Sequence, residues 1–221
     1  MQSCTPEIVA ISLNAWGPKS DSDRLEKQVE SADADIVFAS ELTVENKDRL
    51  AALYPHHQWT PDAKRLGLFS RYPITQVELQ HGEGWRPFYN AVLQTPQGPI
   101  RVLGAHTFAP FDGERSGYRN SMLKDLPRFA RESAEPVVLL GDLNVTMFSP
   151  HYTPLTEAGL ANVRRGRGVN ATWPAVSPII PIDHVLHSDD FEVCGINDLS
   201  DADMLAYLQA NIAFMQAYLA E

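Results

Sequence analysis

Polar side chains interrupt or directly follow several apolar runs of strand length in this chain. They are Asn14, Glu41, His106, Asp142, Asn144 and Asp183. A single Asn or Asp after a strand is usually a turn or helix-cap residue, and a single Glu is usually solvated. Side chains at strand ends, however, project into a cleft on a rigid scaffold. The set as a whole therefore fits the hydrolysis of a phosphate ester.

Each residue type in this set matches one need of that chemistry. Mg²⁺ prefers hard oxygen ligands, typically one or two carboxylates completed by water and substrate phosphate. Glu41 supplies a carboxylate, with the amide oxygen of Asn14 nearby. Asp142 suits a base that positions and deprotonates water, while Asn144 and His106 suit donors to the developing negative charge. The sequence predicts Mg²⁺ or Mn²⁺ as the cofactor.

The elements that must position these residues are strands alternating with helices. β-branched apolar runs predict strands over Glu7–Leu13, Asp35–Ala39, Leu66–Ser70, Asn90–Gln94, Ile100–Ala105, Pro136–Leu140, Ile182–Leu186 and Phe191–Cys194. Three- and four-residue apolar spacing predicts helices over Asp23–Ser31, Thr43–Leu53 and Tyr118–Glu132, where Pro127 should kink the last helix or start a new one. The alternation favours an α/β or α+β layered domain.

Composition narrows the class of protein further. The 221 residues contain no linker-like segment, so residues 1–221 are interpreted as one domain. The formal charge of −10 disfavours strong non-specific DNA binding. Arg164, Arg165 and Arg167 form either a local basic patch or a solvated Gly-rich loop. No apolar run is long enough for a transmembrane segment, and we expect a soluble protein whose compartment stays open because a removed leader or anchor would leave no trace. The two cysteines are expected to be free thiols.

The order and spacing of these motifs resemble those of the endonuclease/exonuclease/phosphatase superfamily. The resemblance runs from Ser12 to Val193, and its most specific pieces are GDLN at Gly141–Asn144 and IDHVL at Ile182–Leu186. It implies a four-layer α/β sandwich, in which two packed β-sheets are flanked by helices. The stretches LFSRYPI, RVLGAH, GYRNSML, TWPA and PIDHVL are similar to those of bacterial members that are often attached to a membrane anchor.

The same resemblance assigns roles to individual residues. It makes Asn14, Glu41 and Asp201 metal-site residues, His106 and Asn144 phosphate contacts, and Asp142 the residue that orients or deprotonates the attacking water. Asp183 would orient a second histidine. Arg119 and Trp173 lie in matching stretches and are candidates for substrate binding, against the alternatives of a solvated helix arginine and a core tryptophan.

The chain departs from the family at that second histidine. Ser200 and Asp201 match the family's closing Ser-Asp-His, but Ala202 stands where the histidine belongs. Because none of the seven histidines lies beyond His187, no neighbour in sequence can replace it. An introduced inactivating substitution, a natural pseudoenzyme and a natural variant that uses another group all remain open. An isolated change within otherwise complete machinery favours the first.

The C-terminal tail carries two conflicting signals. Leu205, Leu208, Ile212, Met215 and Leu219 follow helical spacing, whereas the resemblance requires a strand near Met204–Leu208 that pairs close to the first strand. A strand there, followed by a helix from about Ala210, would satisfy both.

These observations predict a divalent-metal-dependent hydrolase of phosphodiesters or phosphomonoesters. Its substrate would be a phosphorylated small molecule, a lipid headgroup or a short nucleic acid, and Ala202 should impair turnover. A non-catalytic phosphate-binding module and a scaffold without a phosphate site are the alternatives.

Overall fold

A computed structural model of the chain describes residues 8–62, 65–82, 85–174, 177–198 and 209–217. Within these ranges the chain forms twelve strands: β1 (Ile8–Asn14), β2 (Ile36–Ser40), β3 (His56–Thr60), β4 (Leu66–Ser70), β5 (Ile74–Gly82), β6 (Trp85–Thr95), β7 (Gly98–Gly104), β8 (Val137–Asp142), β9 (Ala161–Asn162), β10 (Asp183–His187), β11 (Phe191–Asp198) and β12 (Gln209–Ala217). The helices are α1 (Ser22–Ser31), α2 (Val44–Leu53), α3 (Gly113–Arg131) and α4 (Thr153–Glu157), with 3₁₀ turns at Gly17–Lys19 and Pro150–Tyr152.

The strands form two mixed six-stranded sheets. Sheet A has the order β11-β12-β1-β2-β4-β3, and sheet B has the order β5-β6-β7-β8-β10-β9. Each sheet contains one parallel pair, β1 with β2 and β7 with β8, and the connecting helix of each pair is α1 or α3. Parallel neighbours need a crossover of this kind. In each pair the carboxyl ends of the two strands therefore lie side by side, at the same end of the sheet.

The two sheets pack face to face around the central core. Sheet A contributes Ile36, Phe38 and Leu68, and sheet B contributes Val102 and Leu140 among others. The contact is close enough that a Cβ on Gly104 would lie 2.4 Å from the ring of Phe38. Leu25, Val29 and Leu50 of α1 and α2 cover the outer face of sheet A. Met122, Leu123 and Leu126 of α3 cover that of sheet B together with α4. The predicted four-layer sandwich is confirmed.

Local signals explain where the helices begin. Asp21, Thr43 and Asp112 cap α1, α2 and α3, and each side chain accepts a hydrogen bond from a backbone N–H three residues later. Helix α3 runs unbroken across Pro127, so no second helix starts there. No helix in the described ranges is both long and apolar enough to cross a membrane.

Two expectations about the chain ends are wrong. The predicted helix from about Ala210 is instead strand β12, which lies between β1 and β11 and pairs antiparallel with both. The backbone groups of those two strands require a partner, and this tertiary demand overrides the local helical spacing. Cys194 is disulfide-bonded and is therefore not a free thiol. The segment Met204–Leu208, where the resemblance implies a strand and the local spacing a helix, lies outside the described residues.

Candidate active site

The predicted site residues meet where the ends of five strands converge. Asn14 ends β1 and Glu41 follows β2 in sheet A. In sheet B, His106 lies two residues after β7 and Asp142 ends β8. Strand β10 runs antiparallel to β8, and its first residue, Asp183, pairs directly with Asp142. A residue from the beginning of one strand thus joins residues from the ends of the others.

A hydrogen bond across the two sheets anchors this cluster. The Nδ2 of Asn14 donates to Oδ2 of Asp142 over 3.0 Å, while the backbone N–H of Asn144 donates to the other carboxylate oxygen over 3.0 Å. The Oδ1 of Asn14 accepts from the backbone N–H of Trp16. The side chain of Asp142 is buried, and these hydrogen bonds fix the orientation of its carboxylate.

Gly141 explains why the GDLN motif begins with glycine. Its φ is +156°, and a Cβ at this position would lie 1.7 Å from the backbone oxygen of Ala105. The pairing of the two strands continues past β7, since the N–H of Thr107 donates to the backbone oxygen of Asp142. Only a residue without a side chain permits this approach, which brings His106 beside Asp142.

Burial, with repulsion between neighbouring charges, raises the pKa values of two carboxyl groups in the cluster. Burial, opposed by the hydrogen bonds from Asn14 and Asn144, raises the pKa of Asp142 to about 6, and the negative charge of Glu41 adds to the effect. Burial and then the charge of Asp142 raise the pKa of Asp183 well above its usual range. Neighbouring buried carboxylates with raised pKa values are groups that a cation would stabilise.

His106 lies between two of these carboxylates. Its Nε2 is 3.7 Å from Oε1 of Glu41 and 3.7 Å from Oδ2 of Asp142, and the ring is almost fully buried. Asn144 adopts a left-handed φ of +47°, and its Nδ2 donates to the backbone oxygen of Thr107 over 3.3 Å. Glu41 also has a left-handed φ, of +56°. Such backbone angles in residues other than glycine are costly and cluster at functional sites.

Arg86 is a member of the cluster that sequence reasoning missed. Its Nη1 is 3.2 Å from Nε2 of His106 and donates to the backbone oxygen of Thr107 over 3.0 Å, and its guanidinium stacks on Phe108 at 4.2 Å. Burial lowers its pKa, while Glu41 and Asp142 oppose that shift. The available signal was that Arg86 is the one charged residue of β6 and lies near its start.

The arginine-rich run does not form a basic patch of three side chains. Arg164 is 2% exposed, and it donates from Nη1 to the backbone oxygen of Asp183 and from Nε to that of Asn170. Only Arg165 and Arg167 are exposed. Arg164 therefore holds the strand that carries Asp183 in place and cannot contact nucleic acid.

Arg119 and Trp173 both line an open cleft of about 390 Å³ that begins at Asn144. The Nη1 of Arg119 donates to the backbone oxygen of Asn144 over 2.9 Å. Trp173 is 44% exposed, so it is not a core tryptophan, and the half-buried Arg119 is not simply solvated. Asp201 and Ala202 lie outside the described residues.

The donor set fits a hard divalent cation in an open site. Glu41, Asn14 and Asp142 bring two carboxylates and an amide together, which is the kind of set that Mg²⁺ uses with water and phosphate. Over the part of the chain that the structure describes, no group of three His, Cys, Asp or Glu side chains gathers as an all-protein metal cage.

Comparison with known proteins places this arrangement in a wider context. A structure of an endonuclease/exonuclease/phosphatase from Beutenbergia cavernae has a TM-score of 0.77 at 16% identity, covering 96% of this chain and 72% of that one. For D. rerio TDP2 complexed with single-strand DNA product the TM-score is 0.76 at 17% identity, with 95% and 99% covered. For a mannosyl-6-phosphatase from Bacteroides thetaiotaomicron it is 0.69 at 15% identity, also with 95% and 99% covered.

These likenesses concern the fold. A search of curated proteins found no significant match. The model of the Endonuclease/Exonuclease/phosphatase family, however, matches residues 11–203, which is most of the chain. The chain therefore belongs to the Endonuclease/Exonuclease/phosphatase family.

Proposed function

We propose that this chain carries the site of a divalent-metal-dependent phosphoesterase that hydrolyses a phosphodiester or phosphomonoester by attack of an activated water. The observation that carries the proposal is the convergence of Asn14, Glu41, His106 and Asp142, with Asp142 hydrogen-bonded across the two sheets at 3.0 Å and His106 3.7 Å from both carboxylates. A purely structural cluster has little reason to place two carboxylates 3.7 Å from one buried histidine.

Glu41 and Asn14 would hold Mg²⁺ or Mn²⁺, together with Asp201 in the last motif. When bound, the ion supplies Lewis-acid polarisation of the phosphate. The metal-dependent part of the proposal predicts that Mg²⁺ raises the melting temperature of the protein. Glu41→Gln should abolish that increase while the protein stays folded. Glu45→Gln, an exposed glutamate on α2, is the matched control and should keep it. Equal stabilisation of the Glu41→Gln variant would remove Glu41 from the metal site.

The remaining residues would activate the water or contact the phosphate. A carboxylate with a pKa of about 6, held by hydrogen bonds to both oxygens, is suited to orient and deprotonate water near neutral pH. The amide of Asn144 and the ring of His106 are suited to donate to phosphate oxygens, and Arg86 adds a positive charge beside them. Asp183 would orient the family's second histidine, whose position holds Ala202.

Ala202 should make this chain a poor catalyst with an intact cleft. A positioned general acid or base contributes about 10²- to 10⁴-fold in rate. Ala202→His should therefore raise metal-dependent hydrolysis of chromogenic phosphodiesters or phosphomonoesters by that order, and Asp183→Asn in the same background should reduce it again. If the restored histidine changes nothing while the protein folds and binds metal, the second candidate, a non-catalytic phosphate-binding module, takes the place of the enzyme.

The substrate class follows from charge and from relatives of the same fold. The net charge of −10 argues against avid duplex binding and favours a phosphorylated small molecule, a lipid headgroup or a short nucleic acid. Structural neighbours include a mannosyl-6-phosphatase and a protein complexed with single-strand DNA product, so the fold accommodates small and polymeric phosphates.

The disulfide of Cys194 supports an oxidising compartment as the working environment of this chain, because disulfides persist there and are rare in reducing cytosol. Alkylation of the unfolded protein from its natural source, with and without prior reduction, measures this directly. Labelling of Cys194 without reduction would contradict it.

A further inference from the structure

The cleft beside the candidate active site contains one positive charge that lacks a negative partner among the described residues. Arg119 is held by neutral acceptors, the backbone oxygen of Asn144 and Oδ1 of Asn120, at 2.9 to 3.0 Å. Within the described ranges it forms no ion pair, unlike Arg49, Arg71 and Arg101. A half-buried, fixed guanidinium of this kind is suited to bind an anionic oxygen.

The rest of the cleft is apolar. Phe111, Trp173, Ile180 and Ile182 line it. Among the described residues that line the cleft, the polar side-chain groups other than those of Asn144 and Arg119 are the hydroxyls of Thr146 and Ser149 and the indole N–H of Trp173. Phe111 is 80% exposed and Trp173 is 44% exposed. Large apolar side chains left in contact with water at the rim of a pocket favour a ligand that covers them.

This apolar lining favours some kinds of alcohol group in a phosphate ester over others. A sugar would bring several hydroxyls into a cleft that offers few partners, and each unpaired polar group would lose its hydrogen bonds to water. An aromatic ring would instead cover Trp173 and Phe111 and gain the additional attraction of stacked or edge-on rings. The volume of about 390 Å³ is small for a ligand pocket, which fits one ring system.

We propose that the substrate is a phosphate ester of an aromatic alcohol, whose ring lies in the cleft between Phe111 and Trp173 while its phosphate lies between Arg119 and the Glu41–Asp142 cluster. The proposal rests on the proposed function, because the phosphate end of the ligand is the same site. It adds a ring-binding subsite formed by the side chains of Phe111, in the loop before α3, and Trp173.

Calorimetry in the presence of Mg²⁺ tests the subsite without turnover. The probes are inorganic phosphate, methylphosphonate, phenylphosphonate and glucose 6-phosphate, which differ in what they add to the phosphate. Phenylphosphonate should bind at least about tenfold more tightly than methylphosphonate, and glucose 6-phosphate should gain nothing over phosphate, since ring stacking and burial contribute at this order.

Variants separate the ring subsite from the phosphate site. Trp173→Ala should remove the advantage of phenylphosphonate and leave methylphosphonate binding unchanged. Phe111→Ala should reduce that advantage as well, and its exposed side chain makes folding secure. Phe148→Ala is the matched control. Phe148 lies in the loop after β8 and is 73% exposed, but it lines a different cavity.

The outcomes of the two proposals are distinct. If neither phosphate nor methylphosphonate binds in the presence of Mg²⁺, the proposed function fails. If both bind but phenylphosphonate has no advantage, or if Phe111→Ala and Trp173→Ala both leave the advantage intact, the aromatic subsite is refuted and the phosphate site stands. Preferential binding of glucose 6-phosphate would also refute it, in favour of a sugar phosphate.

Discussion

One buried histidine of β10 should destabilise this protein on acidification, whereas the buried carboxyl groups of Asp142 and Asp183, whose pKa values are raised, act in the opposite direction. His184 is fully buried, and burial, with the positive charge of Arg164, lowers its pKa from 6.5 to about 3. Its ring nitrogens have opposite partners: Nε2 lies 2.7 Å from the backbone oxygen of Val145, and Nδ1 lies 3.0 Å from Nδ2 of Asn162. The neutral ring protonated at Nε2 satisfies both contacts, whereas the charged ring would direct a second N–H at the amide donor.

The sign and size of the effect follow from linkage. Because the folded-state pKa lies below the unfolded-state value of 6.5, the contribution of His184 to the free energy of unfolding is highest above pH 6.5 and falls as the pH drops towards the folded-state pKa. Each pH unit in this window costs about 1.4 kcal/mol, so His184 should cost about 2 kcal/mol between pH 7 and pH 5. The folded-state pKa lies far enough below pH 5 that this amount is set by the unfolded state.

Denaturant unfolding at 25 °C and several pH values from 5 to 7 measures the effect. His184→Gln should lose some stability at pH 7, since it changes buried hydrogen bonds, but its free energy of unfolding should fall about 2 kcal/mol less than that of the parent by pH 5. His57→Gln, an exposed histidine of β3, is the control and should keep the parental slope. NMR titration of the His184 ring in the parent provides a test that needs no variant. Titration near pH 6.5, or a parental slope in His184→Gln, would refute the argument.

Three further predictions concern the scaffold and its surface. Gly141→Ala should cost about 3 kcal/mol or more, because its Cβ would overlap the backbone of Ala105, whereas Gly113→Ala, with open space around it, should be nearly neutral in thermal unfolding. Arg164→Met should cost about 2 to 4 kcal/mol by removing the donor of one buried and one half-buried carbonyl, while Arg165→Met should change the melting temperature little. Duplex DNA should bind weakly at physiological salt in a fluorescence-anisotropy titration, and submicromolar, sequence-independent binding would contradict the charge argument.

The sequence predicted most inner strands better than the edge strands, although the inner strand β12 was predicted as a helix and the edge strand β11 was predicted in part. Strands β2, β4 and β8 are buried throughout, and continuous apolar runs reveal such strands. Strands β3, β5 and β9 were missed, and all three lie at sheet edges. Edge strands are half-exposed and carry polar residues such as those of HHQWT, so no apolar run marks them.

Site residues that follow the ends of apolar strands were predictable from the sequence. Site residues that depend on which strands are neighbours were not. Asn14, Glu41, His106 and Asp142 follow apolar runs that topology brings together. Arg86 joins them from the start of a strand, which depends on register and not on local sequence. The burial of Arg164 was hidden because an RRGRG run is typical of a solvated loop, and only its carbonyl partners on two separate segments make burial tolerable.

The hydrogen bond from Asn14 to Asp142 shows that the candidate site is formed at the interface between the two sheets. Asn14 belongs to sheet A and Asp142 to sheet B, so neither sheet alone contains a complete cleft. A ligand that binds across this interface stabilises the docked pair of sheets by mass action and does little for either sheet separately. Binding should therefore slow amide hydrogen exchange in strands far from the phosphate, because exchange that requires the sheets to part becomes rarer. A substrate of the proposed phosphoesterase would therefore stabilise the entire sandwich.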